Sequence, residues 1–213
     1  KLEGQERGYE HFGPPFLLST TELYRKIRNI QLRVLPDDSL LPVEVAKYDQ
    51  AIILEALHNC IAHQDYSRCA RVLVTEYPDR LVFENEGSFY AGDPADYVQG
   101  RLTPRRYRNA FLAQAMAAIN MIDTMGYGIH RMFEGQARRF FPLPDYDLSE
   151  MGVVRLTLHG RVIDPAYSRL LIQNTALPLD DILALDRVQK RLALDDGAIK
   201  RLRLPGPYNT MHE

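Results

Sequence analysis

Apolar positions recur with a helical period over Ala51 to Tyr66 (AIILEALHNCIAHQDY), and the rest of the chain is organised around this stretch. Leu54, Leu57, Cys60 and Ile61 fall on one face, while Glu55, Asn59 and His63 lie four residues apart and share a second. One face can enter a core. The other presents a carboxylate, an amide and an imidazole in a row, with Asp49 placed as N-cap and Asp65 just past the end. A carboxylate one turn from an amide suits a site where the acid activates a water and the amide oxygen holds a divalent cation. A half-exposed helix with solvated polar groups uses the same spacing.

Upstream, residues 1–18 hold Gly8, Gly13, Pro14 and Pro15 among aromatics, the pattern of an extended lead-in segment. Ser19-Thr20-Thr21-Glu22 matches a capping box, and Leu23, Ile27, Ile30 and Val34 continue one helical face, so the spacing predicts a helix from Ser19 to just before Pro36. PDDSLLPVEVAKY then reads as a connector. Downstream, two β-rich runs, Arg71 to Tyr77 and Arg80 to Asn85, flank Pro78-Asp79 and predict a hairpin with Val72, Val74, Leu81 and Phe83 inward. Asn85-Glu86-Gly87 ends the second strand. A polar amide followed by a glycine permits a close backbone approach to a ligand, and a plain turn uses the same residues.

From Ser88 to Arg108 the periodicity fails, which predicts a long loop of the kind that forms lids or binding segments. Arg101, Arg105, Arg106 and Arg108 cluster towards its end, suited to phosphates or simply to solvent. Asn109 to Met121 reads as a strongly apolar helix, and Gly126 and Gly128 break the chain before a helix over Ile129 to Arg138. A glycine turn feeding a helix start gathers free backbone N–H groups and the positive dipole end at one spot. FPLPDYDLSEMG is a further connector, and Val153 to Leu158 alternates as a strand. Residues 164–213 offer three short helical patterns. Within 186–203, Arg187, Lys190, Arg191, Lys200, Arg201 and Arg203 outnumber Asp186, Asp195 and Asp196, as in a small helix-turn-helix or winged-helix unit that contacts DNA. A helical appendage packed on the main body is the alternative.

Composition narrows the class. The 213 residues are 46% hydrophobic, enough for a real core, and 26 Lys plus Arg against 28 Asp plus Glu give a net charge of -2, so any polyanion site is a local patch. With two cysteines, Cys60 and Cys69, and Cys60 on the apolar side of the organising helix, reduced thiols in a cytoplasmic setting are expected. No apolar run reaches membrane-spanning length and the polar start KLEGQERGYEHF is no signal peptide, so no membrane association is expected. The absence of an initiator Met suggests part of a longer protein. His58, Cys60, His63 and Cys69 lack zinc-site spacing, and the G-x-G lacks the third glycine of a dinucleotide fingerprint.

In order and spacing, EALHNCIAHQDY, DRLVFENEG and GYGIHRMF resemble the ATP-binding module of the RecG-related helicase C-terminal and transcriptional-regulator family, over about Tyr48 to Arg161. That module is similar to the GHKL fold shared by gyrase B subunits, histidine kinases and heat-shock chaperones, and its proteins usually carry an AlbA-type DNA-binding domain in front. The resemblance implies an α+β architecture: a GHKL-like two-layer α/β sandwich with a mixed sheet over 19–163, followed by a small C-terminal helical or winged-helix unit over 164–213. It implies ATP and Mg2+ as ligands, with Glu55 polarising the attacking water, Asn59 holding Mg2+, Asn85 and Gly87 reading adenine, and Gly126 and Gly128 wrapping the phosphates. His63, Asp65 and Tyr66 match an HxDY extension with a structural role at the helix end.

Two departures qualify this. Asn85 stands where the family has Asp, losing a charge-assisted hydrogen bond at about 1 to 2 kcal/mol, and Phe89 stands at the second glycine of the same box. Arg105 and Arg106, with Arg101 and Arg108, lie where the glycine-rich lid would be and replace part of it electrostatically. The expected function is that of an ATP-binding transcriptional regulator acting on DNA through its C-terminal unit and a missing N-terminal domain. The alternatives are a degenerate GHKL scaffold for DNA binding or homodimerisation without nucleotide, and a weak Mg2+-dependent ATPase.

Overall fold

A computed structural model describes residues 8–34, 43–104, 106–123 and 125–191, and these build an α+β fold in which helices cover one face of an antiparallel sheet. The organising stretch is helix α2, Gln50–His63. Asp49 caps it, its carboxylate accepting from the Ala51 and Ile52 amides at 2.8 and 3.2 Å. Of the residues that the spacing assigned to the core, Leu57, Cys60 and Ile61 are buried and Leu54 is half-buried, while Ile52, Ile53 and Ala56 widen the buried face.

The sheet runs in the order β3 (Leu73–Glu76), β4 (Arg80–Glu86), β6 (Val153–His159), β5 (Asp145–Asp147). The hairpin about Pro78-Asp79 forms as expected, with Thr75 opposite Val82. In β4 and β6 Leu81 faces Leu158, Phe83 faces Leu156 and Asn85 faces Val154. These pairs share the face against α2, so the polar Asn85 continues a row of core residues. The opposite face carries Arg155, which bonds Glu84 and Asp147 at 2.8 and 3.0 Å. Every described pairing is antiparallel, which corrects the expected mixed sheet: each neighbour returns in the reverse direction, and β5 joins β6 through the turn at 148–152.

Several boundaries also differ. The helix expected from Ser19 instead begins at Phe16 and ends at Lys26 (α1), with Ser19 inside it donating to the Pro15 carbonyl. Gln31–Val34 is a strand (β1) paired with Val43–Ala46 (β2) inside the expected connector. A tertiary clamp decides this: Asn29 donates to the Tyr48 carbonyl and accepts from the Tyr48 amide, both at 2.8 Å, which turns the chain back before the helical period can continue. The expected loop at 88–108 contains a short helix α3, Pro94–Val98, closed by an Asp93–Asp96 capping box. Ala110–Ala118 (α4) is apolar as expected but buries only Ala113 and Met116, leaving Phe111 86% exposed. Tyr127–Arg138 (α5) packs on α2, and Gly126 precedes it at φ +84°.

Pro165–Gln173 (α6) and Leu179–Gln189 (α7) form a second cluster with Val98, Phe133, Ala137 and Leu143. The third helical pattern, and with it Lys200, Arg201 and Arg203, lies outside the described residues. Lys190 does not face outward: its ammonium meets Asp186 at 2.6 Å and Asp145 at 2.8 Å and donates to the Leu143 carbonyl. Asp186 also accepts from the Leu143 amide and from Gln189. No described helix is long and apolar enough to cross a membrane.

Asp186→Ala leaves the Leu143 amide unpaired and the buried Lys190 ammonium with one carboxylate instead of two, and urea unfolding should show a loss of about 3 kcal/mol, against about 1 kcal/mol for Asp49→Ala, which removes only a cap.

Candidate functional site

One cavity of about 90 Å³ opens between α2, the end of β4, the 88–108 segment and the start of α5. Glu55, Asn59, Asn85, Gly126 and Gly128 all line it, so the helix, strand end and glycine turn singled out from the sequence meet at one place. Arg106 lines it too. Arg105 lies outside the described residues.

The Asn59 amide donates to Glu55 Oε1 at 2.9 Å, the contact expected of residues one helical turn apart. Across the cavity the carboxyl of Glu55 presses on Gly128, where a Cβ would overlap Glu55 Oε1. Glycine at 128 is therefore a packing requirement. Burial raises the carboxyl's pKa, the Asn59 hydrogen bond and the Arg131 charge pull it down, and Asp123 pushes it up. Asp123 lines the cavity, pairs with Arg131 at 2.6 Å, and accepts from the Met125 amide at 2.8 Å, shaping the turn that leads to Gly126.

The β4 end is tied to the α2 end. Gln64, almost fully buried, accepts from the Glu86 amide at 2.9 Å, and the Asp65 amide donates to the Glu86 carbonyl at 2.8 Å. Tyr66 donates to the Ile61 carbonyl, and Asn109 donates to the carbonyls of Ala62 and Gln64. The HxDY extension thus has a physical account: it stitches the helix carrying Glu55 to the strand carrying Asn85. Asn85 is buried and donates to the Glu86 carbonyl at 3.2 Å. His63 stacks on Tyr107 with centroids 6.0 Å apart, and burial, then the Arg108 charge, lowers its pKa.

Gly87 stands beside the cavity instead of lining it. At φ +110° it leaves room for the Arg108 guanidinium, which a Cβ would approach to 3.2 Å. Arg108 donates to the Ser88 carbonyl at 3.0 Å, lies over the Tyr90 ring at 5.0 Å and faces Asp65 at 3.6 Å. Arg108 is thus built into the site's frame, while Arg106 lines the cavity itself. Gln64 and Asp123 were not among the residues expected to form the site, and Arg108 was expected there only as part of a phosphate-facing cluster. The Asp-x-Met turn of Asp123 had a sequence signal, whereas the reach of Arg108 to Ser88 depends on the tertiary fold.

Among the described residues no three or more His, Cys, Asp or Glu side chains gather as a metal cluster. The carboxylate of Glu55 and the amide of Asn59 are oxygen donors too few for a resident Mg2+, and fit one that keeps waters and arrives with phosphate oxygens.

Part of this α+β fold is similar to an ATPase-like domain. Residues 70–158 match the model of the family described as "Putative ATP-dependent DNA helicase recG C-terminal". That span holds Asn85, Gly87, Gly126 and Gly128, while Glu55 and Asn59 precede it. Among solved structures the chain is similar in fold to the DIP2311 protein from Corynebacterium diphtheriae, at 19% identity and a TM-score of 0.55, over 86% of this chain and 40% of that one. No curated protein matches.

The elevated pKa of Glu55 yields a signed prediction. The folded chain holds this proton more tightly than the unfolded one, so the associated stability is complete below the ordinary value of 4.5 and is lost as pH rises through the folded value. Carboxyl-carbon NMR should place the midpoint above 4.5, higher still in Asn59→Ala and lower in Asp123→Asn.

Proposed function

We propose that this cavity is a nucleotide site taking ATP with Mg2+, in which Asn59 holds the cation, Glu55 faces the attacking water, Asn85 reads the base, and the turn at Gly126 and Gly128 meets the phosphates beside Arg106. The single observation that supports it is the convergence of Glu55, Asn59, Asn85, Gly126 and Gly128 on one cavity from three separate elements. Mg2+ supplies neutralisation of phosphate charge. The first turn of α5 offers backbone N–H groups for the same purpose, and Gly128 leaves no side chain between them and Glu55.

Binding of a ligand to the folded state alone stabilises it by about 2.7 kcal/mol at a hundredfold excess over Kd, or a rise of about 5 to 10 °C in melting temperature for a chain of this size. ATP with Mg2+ should produce such a shift, and Asn59→Ala should lose most of it; melting unchanged by millimolar ATP in the parent and in Phe89→Ala alike removes the reading.

Hydrolysis is a further step in the same reading. Glu55 is placed as the base that accepts the proton of an attacking water, and its raised pKa brings it nearer the neutral range where a base works best. Glu55→Gln should abolish phosphate release while keeping the thermal shift, and a parent protein with no release excludes the role.

The small free volume favours one competing reading, a GHKL-type scaffold with an unused cavity that serves DNA binding or homodimerisation. In either case a regulatory, DNA-directed activity would fall to the C-terminal unit, where Lys190 is turned inward and withdrawn from any DNA contact. Affinity for duplex DNA that falls steeply with salt, at equal strength with and without nucleotide, marks the scaffold reading.

A further inference from the structure

Phe89 is placed where a guest would be. It lies two residues past Gly87 and lines the cavity. Its ring meets Tyr97 of α3 at 5.7 Å between centroids with a 64° interplanar angle, and Tyr146 of β5 at 5.9 Å and 81°. Both contacts are edge-to-face, the arrangement aromatic groups adopt around a planar partner. The two tyrosines come from different elements, and Phe89 bridges them from a third segment. Arg108 touches both chain neighbours of Phe89, donating to the Ser88 carbonyl and lying over the Tyr90 ring, and Gly87 before them supplies a left-handed joint.

The free space beside that ring is about 90 Å³, while sites for drug-sized ligands span roughly 300 to 1,000 Å³. The space beside Phe89 lies below that range, and it adjoins a larger hollow of about 580 Å³ with which it shares Tyr90, Arg106 and Tyr107. Removing the phenyl group would join its own volume to the free space, between two tyrosines already set for a flat ring.

We infer that Phe89 occupies the seat of a planar heteroaromatic ring, that Tyr97 and Tyr146 are the residues that grip this ring, and that a ligand binds by exchanging its ring for the phenyl. The identity of the ligand as a nucleotide rests on the reading proposed above, whereas the ring seat does not. The exchange lowers apparent affinity by the fraction of molecules in which Phe89 is out. Phe89 thereby sets what the cavity admits: flat rings compete with it, and saturated groups of the same size gain no edge-to-face contacts.

The test compares the parent chain with Phe89→Ala by thermal melting and calorimetry, using indole as a ring without sugar or phosphate and ATP with Mg2+ as the nucleotide. Indole should raise the melting temperature of Phe89→Ala and leave the parent unchanged, as an emptied apolar cavity takes up a small aromatic. ATP should bind Phe89→Ala at least tenfold more tightly than the parent, and adding Tyr146→Ala should cancel both gains. If Phe89→Ala is poorly folded, recovery of its cooperative melt by indole is itself the supporting result, and no recovery overturns the seat. Indole binding without ATP binding to either protein keeps the ring seat and removes the nucleotide reading. Equal ATP affinity in both proteins, with no indole effect, keeps the nucleotide and overturns the seat.

Discussion

The pair of hydrogen bonds that Glu86 makes with Gln64 and Asp65 fixes everything the site contains. A helix and a strand that merely packed face to face could slide by a residue. That slip would turn Asn85 away from the core face and carry Glu55 out of line with Gly128. A buried glutamine side chain and a backbone amide at the same corner prevent it, because every alternative register leaves one of these polar groups unpaired away from water. Asn109, donating to the two carbonyls that end α2, sets the start of α4 from the same corner.

The site's electrostatics follow from that geometry. Glu55 sits against a glycine, shares a hydrogen bond with an amide and shares the cavity wall with a second acid, Asp123, whose charge Arg131 offsets. An acid in such surroundings holds its proton longer than a solvated one does. The same logic runs in reverse at the other end of the molecule, where Lys190 is taken out of solvent and shared between Asp145 and Asp186. There the charges serve to dock α7 on the sheet edge, and a basic residue that would suit a polyanion is spent internally.

Much of this was legible from residue order, and what was not has identifiable causes. α2 could be read because its cap, its apolar period and its polar stripe agree. The β3–β4 hairpin was readable because β-rich runs flank a Pro-Asp turn. The reading failed at Gln31–Val34, where Ile27, Ile30 and Val34 happen to lie at helical spacing while the clamp between Asn29 and Tyr48 acts over nineteen positions of sequence. β5 is three residues long, too short to show a period. α3 did leave a signal, the Asp-Pro-Ala-Asp run that caps it, which the surrounding glycines and prolines masked. Glu55, Asn59, Asn85 and the two glycines were found through motif spacing, but the reach of Arg108 to Ser88 and Tyr90 is a property of the fold alone.

The aromatic wall of the cavity also has an optical consequence. The chain has no tryptophan and 12 tyrosines, and Tyr90, Tyr97, Tyr107 and Tyr146 all stand around this one space. A third of the native ultraviolet emitters therefore border the cavity, and the molecule carries a label-free reporter of whatever rearranges there.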